Sequence, residues 1–467
     1  MQSYWNKQTN YFITFNFFLN MNITKITYAV LTAAMLLTVV PSCHKDSNEV
    51  TPEENSFTND GNNENAISKA KIASKITPKE YVSKPPKFNE FVNKVDKFSN
   101  KIATTIGISQ SENSAVSPLS IFMAMSMAAE SANGDTREEI LNMLGLSYEE
   151  LSNNIQYLCL SCNQILNFYN EDFKGEEKNM IKCVNSIWLK DGVKVKENGI
   201  KSLTTKYFSD IFKMDFKNSN VNNTVKSYIN NETNGFLSPD LDLTPQTQIM
   251  LLNVVYLKEI WNEFGNELSF TNEKYDFVNY DKSKTPIQLL RGFFYRGRAI
   301  KTEKYKKFRT LTNAGLSLTF FVPNEGYSLD DIYTAEILDD KTPYVYEDDE
   351  NKYYTRCLFP EFSANYDNEI QKSLKELGVK KLFGECDFSN LAEDVYCNGI
   401  KHVTRLEVKS KGIEGAAVTA MMMEATSVGP EKEKNKVYEN FIVDKNFVYV
   451  LKYNGVPLFT GVVEKVK

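Results

Sequence analysis

The chain has 467 residues, 42% hydrophobic and 12% aromatic, enough for a large apolar core. Its net charge of -6 supplies no basic excess for nucleic acid. With only two histidines, His44 and His402, a histidine-built zinc site is close to excluded. HExxH, GxSxG and the Walker loop are missing as well, so no catalytic residue, metal or cofactor is expected.

Residues 26–41 form an apolar run behind Lys25, short for a membrane span but suited to a signal-peptide core. Val40-Pro-Ser-Cys43 has the look of a lipobox, which makes Cys43 a lipidation candidate; plain secretion is the alternative. Residues before Met21 fit no signal peptide well, so Met21 is a second candidate start. Residues 44–87 are rich in Asn, Ser, Glu, Lys, Thr and Pro and lack an apolar period, which predicts a disordered tether. Such a chain reaches on the order of 35–40 Å. The expected division is 1–43 signal, 44–87 tether and 88–467 one folded domain.

Within that domain, Phe88, Phe91, Val92, Val95, Phe98, Ile102 and Ile106 recur at helical spacing. Ser117 is a good N-cap with Pro118 in the first helical position, and the helix behind them is apolar nearly all round, so it should be buried. Asn133-Gly134 ends it, and a further helix covers 137–143. Continuous apolar runs at 184–189 and 249–257 suit strands buried on both faces. Runs at 316–322, 447–453 and 458–463 are also strand-like. Strands and helices do not alternate regularly, which predicts an α+β fold.

Seven cysteines are scattered along the chain: Cys43, Cys159, Cys162, Cys183, Cys357, Cys386 and Cys397. An odd set of this kind is no disulfide framework. Cys159 and Cys162 fall among Leu158, Leu160, Ile165 and Leu166 and are expected to be buried thiols.

Six segments in order resemble the serpin family across residues 88–467. They are residues 113–146; Thr233-Asn-Gly235 followed by 252–258 and Trp261; Leu358-Phe-Pro-Glu-Phe362, which matches a strand of the family; the strand from His402; the glycine- and alanine-rich stretch from Lys411; and Leu458-Phe-Thr-Gly461. The resemblance implies a large, mainly antiparallel central sheet with surrounding helices and an exposed reactive-centre loop. By the same resemblance, Ser117, Ser120, Asn253 and His402 form a polar shutter beneath the point where the sheet opens, and Trp261 stands at the top of the opening. His402 is then a buried structural imidazole rather than a catalyst.

What the resemblance implies about function is a protease inhibitor, not an enzyme, working as a monomer. A protease cuts the loop, and the freed strand adds to the sheet and drags the acyl-enzyme with it. Small residues are needed where the loop enters. The hinge residues Gly412, Ile413, Glu414, Gly415, Ala416, Ala417, Val418, Thr419 and Ala420 largely satisfy that need. Alternation would turn Ile413, Gly415, Ala417, Thr419, Met421 and Met423 toward the core. Family spacing places the reactive bond at Thr426–Ser427, some 50 Å of strand from Gly412. Candidate targets are elastase-like enzymes, with subtilisin-like or papain-like enzymes reading Met421–Met423 instead. Three departures stand out: Ser410 replaces the family's glutamate, Ile413 and Val418 are bulky and expected to slow insertion, and 428–440 is long and charged. A cut at Lys434 or Lys436 is the alternative reading. The rival function is a non-inhibitory serpin-like binding or structural protein, cut as a substrate. Lipidation at Cys43 would hold the domain on the cell envelope, at the outer membrane and facing outward.

Overall fold

The computed structural model describes residues 61–78, 81–107, 112–163, 180–241, 243–261, 267–312, 316–393, 395, 397, 399–415 and 434–466. Cys43, the loop from Ala416 through Ala417, Val418, Thr419 and Ala420, and the bond Thr426–Ser427 lie outside them.

In chain order the first half contains α1 (Gly61–Ala70), β1 (Lys71–Ala73), α2 (Phe88–Ile106), β2 (Ser114–Val116), α3 (Pro118–Ser131), α4 (Gly134–Leu144), α5 (Tyr148–Ser161), β3 (Met180–Lys190), α6 (Glu197–Lys206), β4 (Asp210–Met214), α7 (Val221–Glu232) and β5 (Ile249–Ile260). The second half contains β6 (Tyr275–Val278), β7 (Lys284–Ile287), β8 (Leu290–Arg296), β9 (Ile300–Lys301), β10 (Tyr305–Leu311), β11 (Ser317–Pro323), α8 (Leu329–Ile332), α9 (Ala335–Leu338), β12 (Asn351–Phe359), β13 (Phe362–Glu369) and α10 (Gln371–Glu376). The chain closes with β14 (Lys401–Val408), β15 (Gly412–Gly415), β16 (Asn435–Ile442), β17 (Phe447–Tyr453) and β18 (Val456–Val463).

Thirteen strands make one ladder system in the order β1-β4-β3-β5-β15-β14-β13-β2-β18-β17-β11-β10-β9. Among the described residues, only β3–β4 and β13–β2 pair in parallel there. The α+β expectation of a large, mainly antiparallel sheet is therefore met. β16-β12-β8 form a second sheet and β6-β7 a third.

The apolar runs explain these positions. α3 buries Leu119, Ile121, Phe122, Met123, Met125 and Met127 and lies beneath the large sheet, against β5 and β18. Its start is as read from sequence: the Ser117 hydroxyl accepts from the Ser120 N–H and Pro118 opens the first turn. α2 turns Phe88, Phe91, Val95, Phe98 and Ile102 into the same core. A smaller core under α7 stacks Trp188 on Phe212 at 4.0 Å, with Tyr228 edge-on to both. Gly461 is forced: a Cβ there would sit 1.8 Å from the Ser114 carbonyl oxygen, where β18 crosses β2.

Two expectations change. Residues 61–73 were assigned to the polar tether, yet they form α1 and β1 on the body. Ala70 is buried, Ile67 packs on the Trp188 cluster, and Lys71 meets Asp210 at 2.9 Å. β1 also pairs with β4. The segment's own sequence is polar; its order comes from what it docks on, which periodicity alone misses. Residues 358–362, read as one strand, are instead a corner: β12 ends at Phe359, Pro360 and Glu361 turn, and β13 begins at Phe362.

Candidate functional site: a slot between two strands and the hinge above it

β15 is the only link between β5 and β14 among the described residues. It pairs antiparallel with both. On one side Gly412 faces Ile260, Ile413 faces Glu259, Glu414 faces Lys258 and Gly415 faces Leu257. On the other side Ile413 faces Val408 and Glu414 faces Glu407. Below these rows β5 and β14 share no described ladder. A cleft runs there, lined by Leu252–Tyr256 from one wall and His402–Arg405 from the other. A second cleft continues toward Ile249 and Lys401.

The hinge is held in the upper end of this slot by identifiable contacts. Ile413 is 1% exposed and belongs to the main core, so the expected core-facing side is correct for this residue. Its bulk, expected to slow insertion, is already accommodated between Glu259 and Val408. Gly412 admits no side chain, since a Cβ would stand 2.1 Å from the Glu259 carbonyl oxygen. Glu414 accepts from the Tyr256 hydroxyl at 2.8 Å. Before the hinge, the Trp261 indole donates to the Lys409 carbonyl at 2.7 Å and packs edge-on to Phe359. The Ser410 N–H donates to the Glu361 carboxylate at 2.6 Å, and its hydroxyl lies 3.0 Å from Glu267. Two carboxylates thus hold the turn where the family's glutamate is missing.

Glu259 is the group that sequence reasoning missed here. It is 1% exposed beneath the hinge and accepts from the Thr312 hydroxyl at 2.7 Å. A glutamate inside an apolar run, Val254 to Ile260, was the available signal: a buried carboxylate must be satisfied.

Lower in the slot, the four residues expected to form a polar cluster do come together. His402 is buried, and its Nε2 accepts from the Ser117 N–H at 3.1 Å. That bond requires a neutral ring with an unprotonated Nε2. Burial agrees, pushing the imidazole down to about 3. The Ser120 hydroxyl donates to the Asn253 carbonyl at 3.3 Å. The Asn253 amide donates to Asn185 Oδ1 at 2.8 Å, and Asn185 in turn donates to the Tyr207 carbonyl at 2.7 Å. Asn253 Oδ1 is buried with no hydrogen-bond partner among the described residues. Trp261 sits apart, at the hinge end. Nothing here is arranged for nucleophilic catalysis: His402 gives its lone pair to a backbone amide.

Of the alternative cut sites, Lys434 and Lys436, the second is poorly placed for one. Lys436 lies in β16, in register with Lys352 of β12, and Lys434 meets Glu347 at 2.9 Å. A protease needs an unpaired extended chain, which a parallel ladder withholds.

The large sheet thus holds β15 between β5 and β14 at one end, and below it the described residues of the two strands share no ladder. A family model described as "Serpin (serine protease inhibitor)" matches residues 93–466, and the chain belongs to that family. It is 25% identical over 374 residues to Iripin-1 of Ixodes ricinus, covering 76% of this chain and 89% of that protein. It is 25% identical over 386 residues to neuroserpin of Mus musculus, covering 76% and 86%. The serpin tengpin in its native state matches with a TM-score of 0.61 at 20% identity, over 86% of this chain and 98% of that one. Thyroxine-binding globulin in complex with thyroxine matches with a TM-score of 0.63 at 18% identity, over 80% and 99%. At such identities the two structures establish the fold alone.

Proposed function

We propose that this protein is a suicide-type inhibitor that traps a serine endopeptidase, or a cysteine endopeptidase, by inserting its cut loop between β5 and β14. The observation that carries the reading is the register of β15. Continued downward, it would set Thr419 seven rows below Ile260, opposite Asn253, and six rows below Val408, opposite His402. Thr419 would then bring a hydroxyl to the row where Asn253 Oδ1 has no described partner. Ala417, Met421 and Met423 would share its core-facing side, and β5 offers rows down to Ile249, which would lie opposite Met423. Backbone hydrogen bonds to both walls and apolar burial drive the insertion.

Thr426–Ser427 is the reactive bond in this reading. The partner is an elastase-like, subtilisin-like or papain-like protease, met by a monomer. Cys43 carries the lipid that tethers the domain to the cell envelope, at the outer membrane and facing outward, or is lost in a secreted form.

The test is to mix the full-length protein with elastase, subtilisin and trypsin and run the products on a denaturing gel. A complex that survives SDS, with mass spectrometry placing the bond at Thr426–Ser427, is the expected result. Cleavage without a complex from any of them returns the chain to the rival reading, a serpin-fold protein cut as a substrate.

A further inference from the structure

Among the described cysteines, Cys159, Cys162, Cys183 and Cys357 are buried, while Cys386 and Cys397 are both part-exposed. These two share one excursion of the chain between α10 and β14. The Cys386 thiol donates to the Val395 carbonyl at 3.2 Å and also receives a hydrogen bond from the backbone of Cys397. Cys386 Sγ thus lies against the backbone that carries Cys397. The Cys397 thiol points along the same strip, 3.5 Å from the Gly399 carbonyl. A thiolate at Cys386 would push the pKa of the Cys397 thiol further up.

Both ends of the excursion are fastened. The N–H of Asp387, next to Cys386, donates to the Thr136 hydroxyl at 3.0 Å, and the Asp387 carbonyl accepts from the Asn133 N–H at 2.9 Å. Beyond Cys397, the Ile400 carbonyl accepts from the Ile370 N–H at 2.9 Å. Anchored backbone therefore holds the Cys386 thiol against the carbonyl two residues before Cys397, within the short reach a disulfide needs to be closed.

We propose that Cys386 and Cys397 are a disulfide-forming pair, a modification site oxidised by a small-molecule disulfide such as oxidised glutathione. The Cys386 thiolate attacks one glutathione sulfur, a Cys386–glutathione bond forms and one glutathione thiolate leaves. The Cys397 thiolate then attacks Cys386 Sγ, the protein disulfide forms and the second glutathione thiolate leaves. The two thiol protons pass to the solvent or to the departing thiolates, and the two electrons lost by the protein reduce one glutathione disulfide to two glutathiones. Cys386 attacks first because burial pushes it up less than Cys397, which reaches about 12. The high values make the exchange slow at neutral pH and faster as pH rises.

The cross-link would close the strip that leads into β14. Cys397, Gly399 and Ile400 line the lower cleft, so the bond fixes one wall of the slot at its foot.

The experiment is non-reducing peptide mapping of the full-length protein after incubation with oxidised glutathione at pH 8.5. The expected product is one peptide pair joined through Cys386 and Cys397, lighter by two hydrogens and reversed by dithiothreitol. Cys397→Ser should instead accumulate a stable glutathione adduct on Cys386. Recovery of both thiols as alkylated residues, separate glutathione adducts on each, or a bond from either to Cys43 would overturn the proposal. Circular dichroism of Cys397→Ser shows whether that variant is folded, and the wild-type map decides the matter without it.

Discussion

Ala417→Asp probes the insertion register most sharply. Ala417 is five residues beyond Gly412, so insertion in the proposed register would set it opposite Val255, five rows below Ile260. It is four residues beyond Ile413, and so opposite Thr404, four rows below Val408. Val255 packs on the main core and Thr404 is buried, so an inserted carboxylate there has no water and no cation. Burying an uncompensated carboxylate costs several kcal/mol; taking about 3 kcal/mol as felt in the insertion step, insertion slows by about 100-fold. The acyl-enzyme then hydrolyses first, and the gel shows cut protein without complex. Ala416→Asp is the control. It falls on the opposite face, beside the exposed Arg405, and should trap about as well as wild type. If Ala417→Asp traps like wild type, or if both variants fail equally, the register is wrong.

Acid should destabilise the fold through His402. Its folded value of about 3 lies below the unfolded value near 6.5, so the unfolded chain takes up the proton first. Stability is full above about pH 6.5 and falls by about 1.4 kcal/mol per pH unit as pH drops toward 3. Urea unfolding at pH 7 and pH 4.5 should show a loss of roughly 2–3 kcal/mol that His402→Gln reduces by that amount; equal slopes for both proteins would contradict it. Gly412→Ala should lower the thermal midpoint by an amount equivalent to about 1–3 kcal/mol, because the new Cβ meets Glu259 backbone. Trp261→Phe keeps the packing on Phe359 but loses the bond to Lys409, a destabilisation of about 1 kcal/mol readable in the same melts.

The strands and the buried helix were legible because their apolar runs are long and their caps local: Ser117-Pro118 announces α3 on its own. The shutter residues were legible only through resemblance, since Ser117, Asn253 and His402 are far apart in sequence and meet through the sheet. α1 was missed because its stability comes from the Trp188 cluster and Asp210, not from its own composition. The corner at Pro360 was missed because an apolar run does not mark where a strand changes sheet. Of the hinge's small residues the structure describes Gly412 and Gly415, and Gly412 is fitted closely to the Glu259 backbone; Ile413 was read only for its bulk. In the slot it is a filled core position, and the burial that holds it there is a tertiary property.

The account rests on β5 and β14 receiving a strand. Hydrogen exchange of their backbone amides, before and after the loop is cut at a single bond, measures that directly. The prediction is strong new protection along 249–256 and 401–406, with a large rise in the thermal midpoint of the cut form. Unchanged exchange on both walls, with an unchanged midpoint, would show that the slot stays empty and would contradict insertion.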